Sequence, residues 1–243
     1  MSRQRLQKLM AAAGLCSRRK AEQWLEDGRV SVDGHRACLG DQADPDLQEI
    51  RVDGRRLALP RDPTVLLLNK PVGVISTCHD PRGRPTVLEL LPSKLRRGLH
   101  PVGRLDSDSR GALLLTDQGA LTLQLTHPRY DHAKTYRVWV EGDPGSDTLQ
   151  RWRQGVVLDG ARTRAARVER LERRSQRCLL EVVLQEGRNR QIRRVAALLG
   201  HPVLDLQRVA IAHLQLGSLA EGRWRRLNER EWKPLVSEGQ GVG

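Results

Sequence analysis

Phenylalanine is missing from this 243-residue chain and tyrosine occurs only twice. The two are Tyr130 and Tyr136. Cysteine is scarce and scattered: Cys16, Cys38, Cys78 and Cys178 form no C-x-x-C pair and have no histidine at ligand spacing, which argues against a zinc site. No run approaches membrane-spanning length, and MSRQRLQKLM lacks the apolar stretch of a signal peptide. A cytoplasmic protein with reduced thiols and no membrane partner is expected. The patterns G-x-x-x-x-G-K-[ST], H-E-x-x-H and G-x-S-x-G are absent as well, so the common phosphate loop, zinc peptidase and serine hydrolase readings fall away.

Acidic residues are outnumbered. Lys and Arg total 42 against 29 Asp and Glu, a formal net charge of +13, while 38% apolar residues in periodic runs argue for a folded chain. A folded basic protein calls for a polyanionic partner. Arginine outnumbers lysine, and its planar fork grips phosphate with two hydrogen bonds, which favours nucleic acid over a membrane surface.

The length suits two domains. Residues 1 to 60 read as a small unit with its linker. RLQKLMAAAGL places Leu6, Leu9, Met10 and Ala13 on one helical face, and Ser17 caps a second helix, RRKAEQWLEDG. Asp33-Gly34 then marks a hairpin, and EIRVDG adds a short strand. Arg18, Arg19 and Lys20 fall in the first turn of the second helix, where the macrodipole is already positive. A phosphate backbone opposite them would remove that conflict.

Residues 61 to 236 alternate short β runs (TVLLLNK, GVIST, GALLLT, KTYRVWVEG, RCLLEVVLQEG, PVLDLQRVAIAHL) with helical candidates (ALTLQLTH, SDTLQRWRQG, NRQIRRVAALLG). The order is no regular βα repeat. An α+β fold with a mixed, largely antiparallel sheet flanked by helices is expected. Residues 237 to 243 read as a disordered tail.

One carboxylate stands out. Asp106 in PVGRLDSDSRGALLLT sits in a turn at a strand end, beside Arg104, where catalytic groups are commonly presented. A guanidinium close by would keep it ionised, as a nucleophile or base must be; Arg104 and the EGRNRQIRR stretch both offer one. A turn-capping role is the plainer alternative. A two-metal nuclease using Asp106, Asp108 and Asp117 is a further one. His127 and His132 read as surface or RNA-facing residues, Asp108 and Asp117 as turn residues.

GRLDSDSRGALLLTDQG resembles the signature of bacterial ribosomal-RNA pseudouridine synthases of the RsuA/RluB type. LNKPVGVIST with HDPRGRPTVLELLP, KTYRVWVEG and EGRNRQIRRVAALLGHPVLDLQRVAIAHL are similar to further segments of the same catalytic domain, and SRRKAEQWLEDGRVSVDG resembles an S4-type RNA-binding domain. The resemblance covers nearly the whole chain in the family's order. It implies Asp106 as the catalytic aspartate, Tyr136 as the base-stacking tyrosine, Arg193 as the arginine paired with Asp106, and Ile192 as the apolar neighbour of the base. Ala112 departs from the leucine usual there. Arg104, Arg188, Arg190, Arg18, Arg19 and Lys20 are the expected RNA contacts. The implied reaction needs no cofactor and no metal. The implied partner is ribosomal RNA or a pre-ribosomal particle, met by a monomer; large-subunit 23S RNA leads, with 16S RNA or a non-catalytic assembly factor as alternatives.

Overall fold

The computed structural model describes residues 3–59, 62–127, 130 and 132–237. Its N-terminal part follows the sequence pattern closely. Helices α1 (Leu6–Ala12) and α2 (Arg18–Glu26) pack Leu6, Leu9 and Met10 against Ala21 and Leu25. The hydroxyl of Ser17 accepts from the backbone N–H of Lys20 at 3.2 Å, satisfying one orphan donor of α2. Strands β1 (Val30–Val32) and β2 (His35–Arg36) are joined by Asp33 and Gly34, whose φ values of 52° and 83° are what a two-residue hairpin of matching twist requires. Strands β3 (Ile50–Val52) and β4 (Arg55–Arg56) extend this sheet in the order β2-β1-β3-β4. Residues 60 and 61, at the expected linker, lie outside the described residues.

The remainder is built on one sheet. Its elements in chain order are β5 (Val65–Lys70), β6 (His100–Val102), β7 (Arg110–Thr116), α3 (Gly119–Thr126), β8 (Lys134–Glu141) and α4 (Ser146–Gln154). There follow β9 (Arg167–Arg174), β10 (Arg177–Leu184), α5 (Gln191–Leu198), β11 (Val203–Ile211), β12 (Leu214–Gln215), β13 (Trp224–Arg226), α6 (Glu229–Trp232) and α7 (Pro234–Ser237). The strand order is β9-β10-β8-β11-β7-β5-β13, with β12 on β11 and β6 on β7. Every pairing is antiparallel except β11 with β7, which is parallel over Gln207↔Arg110 and Arg208↔Gly111. The chain is thus α+β with a mixed, largely antiparallel sheet.

Strand β5 is buried along its whole length because both faces are covered: Val65 and Leu67 enter one core cluster, Leu66 and Leu68 another. Strand β7 alternates the same way, Ala112 and Leu114 against Leu113 and Leu115. A third cluster packs α4 and α5 on Val138, Val140, Leu180 and Val182.

Two expectations need correction. GVIST forms no strand: only an isolated bridge joins Ile75 to Thr86, because prolines at 71, 81, 85 and 92 interrupt any ladder in that segment. Ser237, expected in the tail, instead closes α7; residues 238–243, the rest of the expected tail, lie outside the described residues.

Candidate active site

Asp106 is presented by the loop between the antiparallel strands β6 and β7. Three contacts fix that loop. The hydroxyl of Ser76 donates to the carbonyl of Leu105 at 2.8 Å and accepts from its N–H at 3.1 Å. The N–H of Gly73 donates to Ser107 O at 2.7 Å. Lys70, at the end of β5 and fully buried, donates through Nζ to Pro71 O and Ser109 O, both at 2.8 Å. Leu105 anchors the loop in the core beneath, so the neighbouring Asp106 is held at the surface of a packed layer.

A cleft of about 700 Å³ opens in front of it. Asp106, Tyr136, Arg193, Ile192, Arg104, Arg188 and Arg190 all line this one space. Tyr136 comes from β8, half-buried between two core clusters. Ile192 is buried in the first turn of α5. Tyr130 and His127 also border the cleft, so Tyr130 is not separated from Tyr136 by position alone. A second cavity of about 470 Å³, lined by Ser76, His79, Asp80 and Arg84, shares Arg104, Asp106 and Arg190 with the first. Asp106 therefore stands on the wall between two spaces. Arg18, Arg19 and Lys20 line neither; they are exposed on α2 in the N-terminal unit.

The cation pairing differs from expectation. Arg193 does not pair with Asp106: its Nη2 donates to Asp108 O at 2.6 Å and to Ser109 Oγ at 3.2 Å, and its Nε lies 3.3 Å from the Asp108 carboxylate. Among the described residues the cation paired with Asp106 is Arg190, at 3.6 Å. Arg190 also grips Asp108 with both terminal nitrogens, at 3.1 and 2.7 Å. Asp108 is thus the anchor of two arginines and not a simple turn residue, and hydrogen bonding from Arg190 holds its carboxyl below the usual aspartate range. This pairing needs a carboxylate from β7's approach and an arginine from the N-cap of α5 to meet, 82 positions apart, which neighbourhood in sequence cannot signal.

Other arginines are occupied by the protein. Arg188 donates to Ala161 O at 2.9 Å and Arg162 O at 2.5 Å, so it straps a neighbouring loop. Arg194 forms a two-pronged pair with Asp159 at 2.8 and 2.6 Å. Arg84 likewise holds Asp80, whose carboxyl lies well below the usual range. The helix α5 itself begins at Gln191, so Arg188 and Arg190 precede it, and Asp108 and Asp159 supply the anions its positive end demands. No such carboxylate faces Arg18 or Arg19 among the described residues. Asp117 accepts from Thr64 N–H at 3.1 Å, and His132 is buried, not surface-facing. Among the described residues no three His, Cys, Asp or Glu side chains converge as a metal-ligand group.

Sequence reasoning passed over two buried cations, Arg208, which lines the cleft, and Lys70, which lies behind it on the carbonyl of Ser109. The signal was available: a cation closing an unbroken apolar strand, or set inside one, has to find buried partners. Burial pushes the Lys70 amine down to about 8, with Arg208 adding to the fall; Asp106, Asp108 and Glu221 oppose it.

A carboxylate on a rigid loop, an aromatic beside it and a rim of arginines define an enzyme site for a polyanion. Comparison with known proteins agrees. The profile described as RNA pseudouridylate synthase matches residues 64–198, and that of the S4 domain matches residues 4–46. An uncharacterized RNA pseudouridine synthase of Mycobacterium tuberculosis (strain H37Rv) is 40% identical over 93% of this chain and 91% of its own length. The ribosomal large subunit pseudouridine synthase B of Bacillus subtilis (strain 168) is 37% identical over 96% and 95%. The dual-specificity RNA pseudouridine synthase of Escherichia coli (strain K12) is 34% identical over 93% and 76%. A pseudouridylate synthase crystal structure superposes with a TM-score of 0.70 at 30% identity, covering 96% of this chain and 99% of that one. The chain belongs to the RNA pseudouridylate synthase family, in the S4-bearing branch, and is a pseudouridine synthase.

Proposed function

We propose that this enzyme converts a specific uridine of ribosomal RNA to pseudouridine, with 23S RNA as its substrate and Asp106 as the group that acts on the target nucleotide. In the reaction the C1′–N1 bond breaks, the uracil turns, and a C1′–C5 bond forms; C5 loses its hydrogen as a proton and N1 gains one. No electrons are exchanged and no energy source is needed. Asp106 either attacks the sugar or removes a proton from it. Tyr136 lies against the base, Ile192 supplies an apolar wall, and Arg190 and Arg193 hold the acid-bearing loop. A uridine must leave its stack to reach such a site, and planar and apolar surfaces offset the lost stacking.

The observation that carries this reading is the convergence of Asp106, Tyr136 and Ile192, from three distant segments, on one cleft. Ribosomal RNA is favoured by the name of the Bacillus relative, which refers to the large ribosomal subunit. Residues 1 to 60 serve as the RNA-binding unit and 61 to 236 as the catalytic domain, working as a monomer in the cytoplasm on rRNA or a pre-ribosomal particle.

Transcripts of 23S and 16S RNA carrying [5-³H]uridine test it. Wild-type protein releases tritium from the 23S transcript, and Asp106→Asn releases none while keeping RNA affinity within a few-fold. Release from 16S RNA alone transfers the substrate to the small subunit. No release from either, with tight binding retained, favours a non-catalytic assembly factor.

A further inference from the structure

Arg208 has no part in the reaction as described, yet its setting is unusual for a guanidinium. It is 6% exposed, in the middle of β11, and it lines the cleft that holds Asp106 and Tyr136. Arg208 and Tyr136 are direct cross-strand partners in the β8–β11 ladder, so their side chains leave the same face with Cβ atoms about 5 Å apart.

Part of Arg208 is structural. Parallel pairing of β11 with β7 spans two residues, and the next carbonyl along β7, Ala112 O, is met by Arg208 Nε at 2.7 Å. The other end is unsatisfied: Nη2 is buried and has no hydrogen-bond partner among the described residues. A guanidinium keeps its charge, offers donors only, and is costly to leave unpaired in a low-dielectric setting. The charge of Arg208 also adds to the depression of the Lys70 amine, so the local environment already holds a second cation. What is missing beside Arg208 is an acceptor oxygen.

We propose that Arg208 donates to a carbonyl oxygen of the target uracil and orients the base during isomerisation. This rests on the pseudouridine synthase reading with Tyr136 against the base. The depth of Arg208 suits the base; the exposed Arg104, at the rim, suits a phosphate. Symmetry supports a carbonyl. A half-turn of uracil about the N3–C6 axis exchanges N1 with C5 and also exchanges O2 with O4. A fixed donor therefore meets a carbonyl oxygen both before and after the turn, so one arginine can hold substrate and product orientations alike.

Arg208→Lys and Arg208→Gln test this, with single-turnover pseudouridine formation read by nucleoside chromatography on 23S and 16S transcripts. Lys keeps the charge and can still reach Ala112 O, but its single nitrogen cannot also stand where Nη2 stands, so the second donor position is lost. Both variants are expected to slow the reaction roughly ten- to a hundred-fold, the range for one charged hydrogen bond, with RNA affinity within about three-fold. Arg208→Lys is expected to keep the wild-type unfolding temperature within a few degrees. Transcripts containing 2-thiouridine or 4-thiouridine replace each carbonyl oxygen by a poor acceptor. They slow the wild type, and Arg208→Gln adds little further loss, because the same hydrogen bond has already been removed. Wild-type rates in folded Arg208→Gln, wild-type insensitivity to both thio-substitutions, or losses that multiply in full would overturn the assignment. If the wild type forms no pseudouridine on any transcript, the functional reading fails as a whole; an active wild type with an equally active Arg208→Gln sinks the Arg208 inference alone.

Discussion

Arg190 grips Asp108 with both terminal nitrogens, at 3.1 and 2.7 Å, from a backbone conformation that arginine seldom adopts. Its φ of 48° and ψ of 32° put it in the left-handed region at the N-cap of α5, which costs a non-glycine residue about 1 kcal/mol or more. The pair to Asp108 and the approach to Asp106 at 3.6 Å are what this geometry secures. Asp108→Asn is expected to slow pseudouridine formation about ten-fold without abolishing it, since it loosens both arginines and leaves Asp106 in place. Single-turnover rates set beside those of Asp106→Asn check the difference in degree.

The same carboxylate sets a pH dependence. Arg190, and then the charge of Arg193, depress the folded-state pKa of Asp108, so its stabilisation is present above the ordinary aspartate value near 4 and fades as pH falls through the lower folded value. The side chain is 42% exposed, and solvent screening limits the contribution to about 1 kcal/mol or less. Urea unfolding of wild type and Asp108→Asn should therefore converge as pH drops below about 4.

Lys70 gives a second pH dependence, of the same sign but at high pH. Burial lowers its amine to about 8, so between that value and the ordinary lysine range the unfolded chain binds more protons than the folded one. Stability from this group consequently rises with pH across that window. Wild type should gain stability relative to Lys70→Met as pH increases from 8 towards 10, as read by urea unfolding at each pH. A constant difference would mean that the two carbonyl contacts of Nζ hold the amine protonated throughout.

Gly111 marks where the two parts of the sheet meet. Its φ is +112°, and a Cβ there would lie 2.2 Å from Arg208 O, a backbone atom with little room to move. Gly111→Ala is expected to destabilise the protein by at least about 2 kcal/mol. Gly119→Ala, where a Cβ meets nothing within 4 Å, should stay within about 1 kcal/mol of wild type. Denaturant midpoints measure both.

On α2, Arg18 and Arg19 face no carboxylate among the described residues, in contrast to Arg190 and Arg194 near the start of α5. Replacing Arg18, Arg19 and Lys20 with alanine should weaken RNA binding and flatten its salt dependence. Each lost phosphate contact removes roughly 0.7 to 0.9 from the log–log slope. An unchanged slope would mark the cluster as a solvated face.

The sequence by itself determined most of the elements and the faces they bury, the GVIST segment excepted. The period-2 and period-3.6 spacing of Leu, Val and Ala, the Ser17 cap and the Asp33-Gly34 turn are local features, set by residues a few positions apart, and each appears in the structure. That Asp106 lies in a loop ahead of the GALLLT strand was legible for the same reason, though it stands four residues from either neighbouring strand. Which cation serves which acid was decided only by the tertiary structure. Asp108, Arg190 and Arg193 meet across more than 80 positions, and the choice of Asp108 over Asp106 turns on a few ångströms of loop placement set by Ser76, Gly73 and Lys70. The burial of Lys70 and Arg208 arises in the same way. Each lies where strands from distant segments close over it, and a residue's distance from water is a property of the assembled sheet.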